Sequence, residues 1–150
     1  MKRGIYTAII ISIVLIVTPY MFGQDSYTRD FEKKFRVKET SLVELVNKYG
    51  DMQVENRTEN SVLVKVRITV KTSNKSRAES TFNKIDIQFK EDGNKFSAIT
   101  EIKESINNTN FKIDYVVKMP KNINVDISNK YGNLFVDQID GHANIAVKYG

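Results

Sequence analysis

His142 closes the turn Ile139-Asp140-Gly141-His142, with Asp140 two residues before it and Asp137 just upstream. An Asp–His pair can serve base catalysis. His142 is the only histidine, and no serine or cysteine motif stands beside it. A turn histidine facing water is the plainer expectation. Asp137, Asp140 and the turn Asp92-Gly93-Asn94 offer the oxygen atoms that calcium prefers. Calcium takes about six to eight of them, and neither stretch has the spacing of an EF-hand or of a Gly-rich Asp nonapeptide. Ordinary Asp-Gly turn chemistry explains both. Asp86, Asp114 and Asp126, with Lys112 and Lys118, fall on the polar positions of alternating strands. Polysaccharide cleavage could use acidic and basic residues on such faces, but it needs a defined carboxylate pair, and none stands out. A charged face that keeps a sheet in solution is the competing reading. Asn56, Asn74 and Asn107 match the glycosylation sequon, a short pattern that carries little weight by itself.

Composition narrows the chemistry further. The 150 residues suit one globular domain with its own core. Cysteine is absent, which excludes disulfides, a thiolate nucleophile and a cysteine-borne lipid anchor. A single histidine excludes multi-histidine metal sites. The net charge of +5 is spread along the chain, whereas a nucleic-acid surface clusters a much larger positive charge. No cofactor, metal or nucleic-acid partner is expected, and the enzyme reading stays an alternative.

Residues 1–24, MKRGIYTAIIISIVLIVTPYMFGQ, have the layout of a secretory signal. Lys2 and Arg3 supply the positive end, residues 8–17 the apolar stretch, and Thr18-Pro19 the helix break. Ten helical residues cover about 15 Å, half of a hydrocarbon core of about 30 Å. Cleavage is expected near Gly23 to Asp25, with an uncleaved membrane anchor as the alternative. Either way the remainder, residues 25–150, leaves the cytoplasm for the periplasm, the outer-membrane surface or the medium. A chain without cysteine suits that destination.

The exported part alternates with period two. Residues 62–70 are the clearest strand, with Val62, Val64, Val66, Ile68 and Val70 on one face and Leu63, Lys65, Arg67 and Thr69 on the other. Residues 26–38 and 41–46 predict earlier strands. Residues 74–84 break the pattern. Ala78, Phe82 and Ile85 form one helical stripe behind a Ser73 or Asn74 cap, which predicts one short helix. Strands resume at Ile85, and Asp92-Gly93 predicts a hairpin. Phe111, Ile113, Tyr115, Val117 and Met119 alternate again, as do Ile123, Val125 and Ile127.

A phrase then repeats. Asn47-Lys48-Tyr49-Gly50 recurs 82 residues later as Asn129-Lys130-Tyr131-Gly132, and 18 residues after that as Val147-Lys148-Tyr149-Gly150. The last period holds two short strands and a turn. Self-similarity near 20 residues predicts stacked rungs, about 4.8 Å apart. Asn47, Gly50, Asn129 and Gly132 are read as turn formers, because Asn and Gly tolerate positive φ. Tyr49, Tyr131 and Tyr149 are read as a ladder that either packs the corners or binds a glycan or partner. Val147 at the third position shows that the asparagine is not required at every rung.

The order of NKYG with its strand, the helix running into KIDIQF, FSAITEI, and a second ISNKYGNLFVD resembles the bacterial putative-adhesin domains of unknown function that are similar to head-GIN β-solenoids. The resemblance spans residues 35–150. It implies a mainly all-β, short-rung parallel β-solenoid in the cell envelope, with an N-terminal sheet, one short helix near 74–84, and an adhesin-like binding or scaffolding role. It supplies no catalytic or binding residues. Solenoids need an atypical final repeat as a cap. The uncapped phrase at 148–150 therefore predicts that the domain is incomplete at its C-terminus and that its open edge self-associates. The other reading lays the last strand on an existing sheet.

Overall fold

The structure of the protein, a computed structural model, describes residues 25–150. The signal read at residues 1–24 lies outside the described residues. Ten strands and one helix follow one another: β1 (Ser26–Arg36), β2 (Leu42–Lys48), β3 (Met52–Asn56), β4 (Ser61–Lys71), α1 (Lys75–Asn83), β5 (Ile85–Asp92), β6 (Lys95–Ile102), β7 (Asn110–Met119), β8 (Asn124–Lys130), β9 (Leu134–Val136) and β10 (Ala143–Lys148).

These strands form two mixed sheets. Sheet A has the order β1-β4-β7-β3-β9, and sheet B the order β10-β8-β2-β6-β5. Their inner faces share one core. Val62, Val64, Val66, Ile68 and Val70 of β4 are all buried, as the alternation predicts. Val43 and Leu45 of β2 and Val125 and Ile127 of β8 join the same cluster from sheet B.

Asn74 caps α1, accepting the Arg77 amide at 3.1 Å on its side-chain oxygen. The helix buries Ala78 and Phe82 and packs against β1, β4 and β5. The Asp92–Gly93 hairpin joins β5 to β6, with Gly93 at φ 59°.

The repeated phrase sits where the chain crosses from one sheet to the other. β2 in sheet B turns at Tyr49-Gly50 into β3 in sheet A, and β8 turns at Tyr131-Gly132 into β9. β2, β8 and β10 are parallel and in register, with Lys48, Lys130 and Lys148 side by side. The two copies that are 82 residues apart in sequence are thus neighbours in space. The segment between them crosses to sheet A as β3, folds back through β4, α1, β5, β6 and β7, and returns along β8.

That excursion is where the architecture departs from the predicted regular stack. β1 with β4, β4 with β7, and β5 with β6 are antiparallel, and only β6-β2-β8-β10 and β7-β3-β9 are parallel. The described residues form two sheets and no closed coil.

Candidate functional site

The corners are built from four columns of equivalent residues. The first is tyrosine. Tyr49, Tyr131 and Tyr149 have φ of 64°, 60° and 57°, a region that side chains with a Cβ seldom occupy. This corrects the expected turn chemistry, because the left-handed residue at each corner is the tyrosine and not the Asn or Gly. Tyr49 stacks on Tyr131 at 5.1 Å and 12°, and Tyr131 on Tyr149 at 5.2 Å and 10°. Phe111 of β7 closes the upper end, edge-on to Tyr49 at 5.3 Å. The rings spend their faces on one another. Tyr49 and Tyr131 are 40% and 42% exposed, Tyr149 76%. A sugar or base platform needs open ring faces, so the inner part of this ladder serves as corner packing.

The second column is glycine. A Cβ on Gly132 would overlap the Gly50 carbonyl, one on Gly50 the Ile113 carbonyl, and one on Gly150 the Gly132 carbonyl. Glycine is required here by the close approach of one rung's backbone to the next, not by φ.

Asparagine forms the third. Asn47 and Asn129 lie in β2 and β8 and point into the core, about 1% exposed. The Asn47 amide donates to the Ile113 carbonyl at 2.8 Å and the Gly50 carbonyl at 3.4 Å. Asn129 repeats this one rung on, reaching the carbonyls of Gly50, Gly132 and Asn133 at 3.0–3.1 Å. Thr100 takes the equivalent place on β6. Its hydroxyl donates to Asn47 Oδ1 at 3.1 Å, and it accepts from the Tyr115 hydroxyl at 2.9 Å. Asn129 Oδ1 is buried without a donor, and the next residue in the column, Val147, has none to offer.

Burial pushes the Tyr115 pKa up to about 12, with the Thr100 hydrogen bond offsetting part of the rise. An unfolded tyrosine ionises near pH 10. Below pH 10 both states hold the proton and the contribution is complete. Between pH 10 and 12 only the unfolded state releases it, so stability falls. Relative to Tyr115→Phe, the native protein should lose on the order of 2 kcal/mol across this window. Urea midpoints of both proteins at pH 9, 10 and 11 check this, and parallel curves would contradict it.

Lysine is the fourth column. Lys48, Lys130 and Lys148 stand on the outer face of sheet B beside the tyrosines. Lys130 Nζ lies 4.8 Å from the Tyr131 ring centre and 5.9 Å from that of Tyr149. None of the three has a carboxylate partner among the described residues.

The other residues singled out from the sequence are dispersed. Asp140 pairs with Lys121 at 3.0 Å and not with His142, and that lysine holds its carboxyl below the usual range. Exposed His142 contributes its backbone amide to Asn124 Oδ1 at 2.9 Å. The Asp137 carboxylate accepts the Asn56 amide at 3.1 Å. No cluster of metal-ligating side chains occurs among the described residues. Asp86 and Asp126 lie on sheet B, whereas Asp114, Lys112 and Lys118 lie on sheet A, so the five do not gather into one site. Asp86 pairs with Lys103, Asp114 with Lys112, and Lys118 with Glu55.

No protein-family model and no curated relative matches the sequence. Solved structures do resemble it. One is a "putative cell adhesion protein" from Clostridium sporogenes ATCC 15579, 14% identical, with a TM-score of 0.49 over 81% of this chain. Another is a "putative adhesin" from Bacteroides fragilis NCTC 9343, 14% identical, with a TM-score of 0.44 over 79%. A third, a "putative lipid binding protein" from Parabacteroides distasonis ATCC 8503, is 8% identical, with a TM-score of 0.39 over 77%. The chain spans 59%, 53% and 46% of their respective lengths.

Two features escaped the sequence reading. One is a shallow concavity of about 610 Å³ on the outer face of sheet A, lined by Asp30, Glu32, Glu55, Lys65, Arg67 and Lys118 among others. Its charges pair across strands, Arg67 with Asp30 through two bonds of 2.8 and 2.9 Å and Lys65 with Glu32 at 3.1 Å. A ligand there would have to displace those pairs. The other is the lysine column, which the repeat Lys-Tyr-Gly spelled out but which gains meaning only from the strand register.

Proposed function

We propose that the protein is an exported, non-catalytic scaffold or binding domain of the cell envelope, adhesin-like, whose parallel rungs form a short β-solenoid-like stack. The in-register corner carries this reading. Tyrosine, glycine and asparagine are committed there to joining one rung to the next, which is the chemistry of a repeated surface and not of a single reaction centre. The dispersal of the acidic residues over two sheets supports it against the polysaccharide-cleaving alternative. The charged start and apolar stretch of residues 1–24 support export.

Cell fractionation with the intact mass of the recovered protein tests the reading. It predicts protein in the envelope or medium with a first residue near Asp25. Retention of Met1 in a membrane fraction would favour the anchored alternative, and cytoplasmic protein would overturn the reading.

A further inference from the structure

We infer that the strip formed by Lys48, Lys130 and Lys148 beside Tyr49, Tyr131 and Tyr149 binds a linear acidic glycan, one that carries a carboxylate on each sugar and lies across the strands. The inference rests on the envelope-scaffold reading above and gives it a ligand class.

The lysines are neighbours in register on parallel strands, so their charges repeat at about the 4.8 Å strand spacing. Eleven other cations make ion pairs among the described residues, and of those that do not, these three are aligned in register on neighbouring parallel strands. Like charges held side by side repel, and a polyanion of matching repeat relieves that repulsion. The adjoining row on the same face, Val46, Ser128 and Ala146, is small and uncharged. The acidic row, Glu44 and Asp126, comes two residues further along the strands, about 7 Å away. A sugar chain can therefore lie over the three lysines clear of that acidic row, and its reach along the strip ends at Lys48, since Glu101 of β6 follows on the same face. The tyrosines border the strip with phenolic hydroxyls, which donate and accept hydrogen bonds as sugar hydroxyls require.

The same geometry disfavours a nucleic acid. Single strands bind by stacking bases on open aromatic faces. Tyr131 has neighbours on both faces, Tyr49 is covered by Tyr131 and by the edge of Phe111, and only Tyr149 keeps an outer face free.

Binding of polygalacturonate, neutral dextran and single-stranded DNA to the full chain, titrated at low and high salt, tests the assignment. Two variants of equal charge are compared: Lys48→Gln/Lys130→Gln/Lys148→Gln, and Lys71→Gln/Lys75→Gln/Lys90→Gln, whose lysines lie elsewhere and make no ion pair among the described residues. Polygalacturonate is expected to bind the native protein and weaken with salt. The column variant should lose at least about tenfold, and the control should stay within about twofold. All six lysines are on the surface, so both variants should fold, and matching thermal midpoints check this. Lys130→Glu alone should reproduce the loss. No polygalacturonate binding by the native protein, an equal loss in both variants, or DNA binding as tight as polygalacturonate would each overturn the inference. An envelope-located protein that ignores polygalacturonate would lose this inference alone, and a cytoplasmic protein would lose the reading beneath it.

Discussion

Gly132→Ala is expected to lower the unfolding free energy by about 3 kcal/mol or more, measured by urea denaturation. The new methyl group would meet the Gly50 carbonyl, which belongs to the neighbouring rung's backbone and has no flexible end to move aside. Relief would require the rungs to part, and that would lengthen the bonds Tyr49 N to Lys130 O and Met52 N to Asn133 O, both 2.9 Å. Gly93→Ala supplies the contrast. Gly93, unlike Gly132, is left-handed, at φ 59°, but has nothing within 4 Å of the added carbon. It should lose only about 1 kcal/mol from backbone strain. Equal losses at the two glycines would refute the close-approach account.

Asn47→Leu should cost about 3–4 kcal/mol, because it strands several buried polar groups at once. The Ile113 carbonyl loses its side-chain donor, the Gly50 carbonyl loses one of two, and the Thr100 hydroxyl loses its acceptor. The native Val147, two strands further along the same column, is a useful reference. An apolar residue is tolerated there because the position is 43% exposed, while Asn47 is sealed. Double-mutant cycles with Thr100→Val should recover a coupling of about 1 kcal/mol, since the two side chains share one hydrogen bond. Additive losses would show that the column does not act as a unit.

Much of this architecture was readable in the chain. Alternation named the buried face of β4 residue by residue, and the helical spacing of Ala78 and Phe82 placed α1, while Ile85 of the same stripe opens β5 instead. These are local signals, carried by side-chain period. Pairing was not local. Nothing in residues 62–70 or 111–119 declares that β4 lies antiparallel to β7, a pairing that the expected mainly parallel stack with an N-terminal sheet did not specify. The corner was half legible. The phrase flagged the asparagine, glycine and tyrosine columns, but which residue takes positive φ depends on how closely the next backbone approaches. That approach forces the glycine to be small and leaves the left-handed turn to tyrosine, whose ring then gains a stacking partner.

The 82-residue excursion between the first two corners also sets an order of assembly. β8 can pair with β2 only after everything between them has folded back, and closing so long a loop is entropically slow. The antiparallel hairpin of β5 and β6 involves neighbours in sequence and can form early. β8 and β9 then close that long loop onto β2 and β3, and β10 adds to β8 across a span of only 18 residues. The molecule should thus fold with a direction, as a seed that grows from one end.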